Sequence, residues 1–217
     1  MLRWMARAAL AGLAAALAAL APQLEPQPPM CVLTAPPERV AVHGDSEITV
    51  VLDTSGSMRN RGKLDHARRA IRELNGQLGG HRSPTVVAFS DDARVIVHPD
   101  EVLTDAQLTE RLSALSAHGS SNTYEGLATA RALTRLDGYI VLVTDGVANA
   151  GIVDPKRLAG QAESLSRTGG VLSVAILGDS DASTLTHLAA AGGGQQWTPR
   201  HPRELSLTSW NNHRSTP

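Results

Sequence analysis

The chain has 217 residues, a formal net charge of -1 and a pI near 6.7, so it lacks the basic excess on which nucleic-acid binding depends, and no nucleic-acid partner is expected. Its single cysteine, Cys31, has no partner for an internal disulfide, and no Cys/His spacing of a zinc finger or redox dithiol occurs. Hydrophobic residues make up 42% but aromatics only 3%, which calls for one core of Leu, Val, Ile and Ala on roughly 175 residues once the N-terminal segment is set aside.

That segment, "MLRWMARAALAGLAAALAAL", carries Arg3 and Arg7 ahead of an uncharged run over residues 8–21. It has the form of an export signal or signal-anchor. Ala19-Leu20-Ala21 has the small-x-small pattern of a cleavage site, but Pro22 would follow the cut and suits a protease poorly, so a retained anchor is favoured over a cleaved signal. Leu10, Leu13, Leu17 and Leu20 also fall at helical spacing, which leaves a packing helix as the plainer alternative. With the two arginines held in the cytoplasm, the rest of the chain would face outward across the inner membrane. Cleavage would instead leave it periplasmic or secreted. Residues 22–39 hold half of the chain's 12 prolines and read as an extended spacer.

From Glu47 onward, apolar runs of strand length alternate with helical periods. Val50 and Leu52 lie in a first strand, and Leu64, Ala67, Ala70, Ile71 and Leu74 make the apolar face of a helix ended near Gly79-Gly80. "TVVAFS" and "ARVIVH", joined by Asp91-Asp92, read as a hairpin, and "TDAQLTERLSAL" and "TYEGLATARALTRL" as helices. "GYIVLVTDG", "GGVLSVAILG" and "GQQWTP" supply later strands, with helices at "DPKRLAGQAESLSRT" and "DASTLTHLAAA" between them. This rhythm predicts an α/β fold: a doubly wound, mostly parallel sheet with one antiparallel edge strand and helices on both faces. In such a sheet ligands bind beyond the carboxyl ends of the strands, where Asp53 and Asp145 both fall. The domain is expected over residues 40–205, with a polar tail over 206–217.

Three phrases carry the chemistry: "DTSGSM" after the first strand, "HGSSNTYEGL" entering a helix, and "VTDGVAN" after a later strand. Together they resemble the von Willebrand factor type A domain and its metal-ion-dependent adhesion site, with its Asp-x-Ser-x-Ser, a later Thr and a later Asp-Gly. The likeness extends over about residues 38–204 and includes the "VVAFSDDARVIV" hairpin. It implies a Rossmann-like fold and a Mg²⁺ or Mn²⁺ site formed by Asp53, Ser55, Ser57, Ser121 and Asp145. Ser121 stands where the family has Thr, and Thr123 is the alternative. The resemblance further implies that a cation there accepts an Asp or Glu carboxylate from a protein partner. Oxygen donors of this kind suit a hard divalent ion.

Each phrase has a plainer reading: Asp-Gly as a turn, Ser or Thr as a helix cap. Asp91, Asp92, Glu125 and Asn149 stay on that side. A hydrolase using the same strand-end Asp and Ser residues is the alternative function. There is, however, no Gly-x-Ser-x-Gly elbow, no phosphate loop and no His-Glu-x-x-His in the chain, and "GDS" at residues 44–46 and 178–180 lacks a late Asp-x-x-His. A binding domain, not an enzyme, is expected.

Overall fold

The computed structural model describes residues 47–178 and 183–199. The expectations for the N-terminal segment, the spacer and the tail lie outside these residues. No helix among the described residues is long and apolar enough to cross a membrane.

Six strands form one sheet: β1 Ile48–Asp53, β2 Thr85–Phe89, β3 Ala93–Val97, β4 Tyr139–Thr144, β5 Val171–Ile176 and β6 Gly193–Trp197. Their order is β3-β2-β1-β4-β5-β6, and every neighbouring pair is parallel except the β2–β3 hairpin at one edge. The expected doubly wound sheet is thus present. Its strands are buried in the manner of a sheet covered on both faces, since β1 and β4 have no exposed residue.

The helices are α1 Lys63–Gln77, α2 Asp105–Ser113, α3 Thr123–Leu133, α4 Pro155–Ser166 and α5 Ser183–Ala191. Alternation along the strands sorts the core into two layers. Val50, Leu52 and Val141 pack with Leu64 and Leu74 of α1 and Leu108 of α2, whereas Val51, Ile140 and Leu142 pack with Leu127, Leu158 and Leu185 of α3, α4 and α5. Side-chain caps start three of the helices. Thr104 and Gln107 form a capping box on α2, and Asp154 caps α4 ahead of Pro155. Asn122 accepts from the Glu125 amide at the start of α3.

The chain runs outward from β1 to β2 and β3 and then crosses back to β4, so the topological switch point lies between β1 and β4. In that register Leu52 pairs with Val143, which sets Asp53 beside Thr144 at the carboxyl edge.

The seating of α3 depends on Gly126. A Cβ there would lie 2.8 Å from the Phe89 ring, closer than packed carbon atoms approach, so only glycine lets α3 rest on β2 with Phe89 fully buried beneath it. Gly126→Val is therefore expected to cost about 1–3 kcal/mol through overpacking, read as a clearly lower melting temperature in thermal unfolding. An unchanged melting temperature would mean that α3 can lift off Phe89 freely.

Candidate metal centre

Three loops meet at the carboxyl edge of the sheet. The first follows β1 and runs through a 3-10 segment, Gly56–Gly62, into α1. The second, residues 118–122, leads into α3, and the third follows β4 from Asp145. Backbone bonds tie them to one another and to the β2–β3 connection: the His118 amide donates to the Thr54 carbonyl at 2.8 Å, Gly56 to Gly119 at 3.0 Å, Asn149 to Ser121 at 3.1 Å and Asn122 to Ser90 of that connection at 2.8 Å. The site is thus held by main chain, which places its side chains closely.

Asp53 is fully buried, and each of its oxygens is met by a donor. The Ser55 amide donates to Oδ1 at 2.7 Å, while the hydroxyls of Thr144 and Ser121 donate to Oδ2 at 2.6 Å and 3.1 Å. From Ser55 the chain of contacts continues outward: its Oγ lies 3.1 Å from Ser57 Oγ, which donates to Asp145 Oδ1 at 2.7 Å. The other oxygen of Asp145 takes an ion pair from Lys63 Nζ at 2.6 Å. Asp53, Ser55, Ser121 and Asp145 are buried, whereas Ser57 is exposed, so the cluster opens to solvent on the Ser57 side.

All five residues expected from the sequence therefore stand in one connected network of oxygen atoms drawn from positions up to 92 residues apart. The helix-cap reading does not account for the two buried serines. Ser121 does not cap α3, because Asn122 does, and Ser55, at the start of the 3-10 segment, makes no capping bond with its side chain. Thr123, the alternative to Ser121, is buried with its Oγ1 3.5 Å from Ser121 Oγ, so Ser121 is the one of the two that donates to Asp53. Gly56 is a different matter. Its φ is not positive and a Cβ there would meet only Gly119 O at an ordinary 3.5 Å, so the loop does not depend on glycine's freedom at that position.

Four residues outside the expected set complete the centre. Thr144 and Lys63 touch the two carboxylates directly. Asn149 accepts from the Ser121 amide at 2.7 Å, and Asp91 accepts from the Ser120 amide at 2.9 Å, so both orient the second loop. Among these, Thr144 had a signal available in its position next to Asp145 at a strand end, but a β-branched residue in a strand reads first as packing. For Lys63, nothing local distinguishes it from any lysine at a helix start.

Burial pushes the Asp53 carboxyl above its ordinary pKa, and the nearby Asp145 charge adds to this; the hydrogen bonds from Thr144 and Ser55 work against both without cancelling them. The donor set is oxygen throughout, with two carboxylates and three hydroxyls, and one carboxylate is short of counter-charge. That combination suits a hard divalent cation such as Mg²⁺ or Mn²⁺.

Comparison with known proteins agrees with this fold. Residues 48–147 match the family model of the von Willebrand factor type A domain. An uncharacterized protein of Escherichia coli (strain K12), YfbK, is 27% identical over 157 residues, covering 69% of this chain and 27% of that protein. Among solved structures, a von Willebrand factor type A protein from Catenulispora acidiphila superposes with a TM-score of 0.64 at 24% identity, over 76% of this chain and 41% of the other. Proximal thread matrix protein 1 from the mussel byssus, in a form with a zinc-occupied MIDAS motif, does so with a TM-score of 0.55 at 17% identity, over 75% and 45%. This chain spans about a quarter of the curated relative and less than half of either structure. The fold is that of a von Willebrand factor type A domain, and the matched segment supports the same assignment.

The raised pKa of Asp53 has a sign. A carboxyl whose folded pKa lies above the unfolded value adds most stability below the ordinary carboxylate range and loses it as pH rises through the folded value. With metal chelated, Asp53→Asn should melt above the wild type near neutral pH, and the gap should close toward pH ~4. Circular-dichroism melts across that range check this. A variant that melts lower at every pH would show that the three donors overcompensate burial.

Proposed function

We propose that this domain binds a protein partner through a divalent cation held by Asp53, Ser55, Ser57, Ser121 and Asp145. The observation that carries the reading is the connected cluster of oxygen atoms from three loops, buried behind Asp53 and open beside Ser57. In it Asp53 and Asp145 supply charge, while Ser55, Ser57 and Ser121 supply neutral oxygens. When bound, the ion offers a coordination position to an Asp or Glu carboxylate of the partner. The zinc-occupied motif of the mussel protein supports a divalent ion at this place in the fold. Mg²⁺ or Mn²⁺ is the ion we assign here, on the all-oxygen donor set.

Magnitudes divide the labour. A pair of unit charges about 4 Å apart is worth about 1 kcal/mol in water and about 4 kcal/mol when partly desolvated. The ion therefore selects and orients the partner, and most of the affinity has to come from the surrounding surface, typically about 800 Å² per side. Binding of this kind needs no bond to be broken, and we assign no turnover to the site.

Calorimetric titration of the full chain with Mn²⁺ and Mg²⁺ tests the reading. Saturable binding is expected in the wild type, absent in Asp53→Ala and about tenfold weaker in Ser121→Ala. Wild type that takes up neither ion, or Asp53→Ala that binds as well, would remove the metal from the function. Hydrolysis of a generic ester or phosphate that vanishes in Asp53→Ala would point instead to a hydrolase.

The N-terminal segment supports a domain held outside the inner membrane by a retained anchor. Full-length mass in the membrane fraction is the expected result, and a mature chain shortened near residue 21 in the soluble fraction would refute the anchor.

A further inference from the structure

Lys63 is the first residue of α1, where a cation faces the positive end of the helix dipole and stands at a disadvantage. Its side chain nonetheless turns into the oxygen cluster. Nζ lies 2.6 Å from Asp145 Oδ2, with 18% of the lysine side chain and 3% of the aspartate side chain exposed. Gly178, just beyond β5, leaves the room for this path: a Cβ there would come within 3.3 Å of Lys63 Cε and 3.4 Å of Nζ. Helix position, ion pair and bare neighbour together describe a lysine built into the centre.

Asp145 has two oxygens, and the network divides them. Oδ1 accepts from Ser57, one of the five residues assigned to the cation, and Oδ2 accepts from Lys63. Counting charges, Asp53 and Asp145 give -2 and Lys63 returns +1, so the cluster presents -1 to an incoming ion. Every cation that draws on Asp145 must do so against an ammonium already seated on the same carboxylate.

We propose that Lys63 is a tethered cation that competes with a divalent ion for Asp145 and sets the ion affinity of the centre. The proposal rests on the metal-binding reading given above. It follows by reciprocity that a bound ion weakens the Lys63–Asp145 pair by the same factor as the pair weakens the ion. Lys63 also offsets part of the repulsion between the two carboxylates, so that the cluster does not depend on a metal alone to balance them. The price of that balance is a lower affinity for the ion.

The test is Mn²⁺ titration of the full chain as wild type, Lys63→Gln and Lys63→Arg, with melting curves of each in chelator and in saturating Mn²⁺. Lys63→Gln is expected to bind Mn²⁺ about tenfold more tightly, or about 1.4 kcal/mol. It should also melt lower than the wild type in chelator and gain more on adding Mn²⁺. Lys63→Arg keeps the charge and should stay within about threefold of the wild type, which also controls for loss of helix-start packing. If the wild type binds and Lys63→Gln binds equally or more weakly, the competition is overturned while the metal site stands. If none of the three proteins takes up Mn²⁺, the metal-binding reading fails and this proposal fails with it.

Discussion

A carboxylate fully buried at the end of a central strand is the constraint from which the rest of the centre follows. Taking an ionised Asp out of water is costly unless donors replace the lost solvent. Asp53 recovers part of that cost from three donors, and each comes from a different place: Ser55 two residues on, Ser121 in the loop before α3, and Thr144 on the neighbouring strand. Satisfying one side chain thus fixes the relative position of three segments. The recovery is incomplete, as the raised pKa of Asp53 shows, with burial its largest cause. A protein selected for stability alone would place an apolar residue at such a position, as it does at the neighbouring Leu52 and Val143.

The main chain carries the precision that the side chains use. Two backbone hydrogen bonds join the first loop to the second, from the His118 amide to the Thr54 carbonyl and from the Gly56 amide to the Gly119 carbonyl, and Asn149 and Ala150 both donate to the Ser121 carbonyl from the third. Ser121 is then held through its carbonyl by the third loop, through its amide by Asn149 Oδ1, and by its hydroxyl's bond to Asp53. Ser121 lacks the methyl by which a threonine at this position would have a restricted rotamer. Here its buried hydroxyl is oriented by the carboxylate it serves, so the backbone and Asp53 together supply much of what the methyl would.

The sheet was legible in the sequence because it depends on local pattern, and the five oxygen-bearing residues because three short phrases resemble the site of a known family. Apolar runs such as "YIVLV" and helical periods such as Leu64 to Leu74 are read within a dozen residues, and the Asp-x-Ser-x-Ser phrase within five. What stayed hidden depends on partners far apart in the chain. Thr144 looks like a strand residue until Asp53, 91 residues away, is found against it, and Lys63 looks like a solvated lysine until Asp145, 82 residues away, receives it. Asp91 reads as a hairpin-turn residue and Asn149 as a loop residue, and they do sit in the β2–β3 connection and the loop after β4, yet their acceptors orient the loop that carries Ser121. Gly56 is the opposite case: it lies inside the motif, yet the backbone there has no need of glycine's conformational freedom.

Hydroxyls in the cluster matter for what they do not contribute. A carboxylate in place of Ser55 or Ser57 would strengthen the hold on a cation but cancel its charge, and a cancelled charge attracts no carboxylate from a partner. On the proposed metal-binding reading, three neutral oxygens with two carboxylates, one of them already paired to Lys63, would set a cation of charge +2 against a net -1. The complex would then keep one positive charge. That charge would sit where Ser57 is exposed, with the rest of the cluster closed off by Asp53, Ser55 and Ser121, each at most 3% accessible. An anion would reach it from one side only, so the same burial that makes Asp53 costly to the fold would give the attraction a direction.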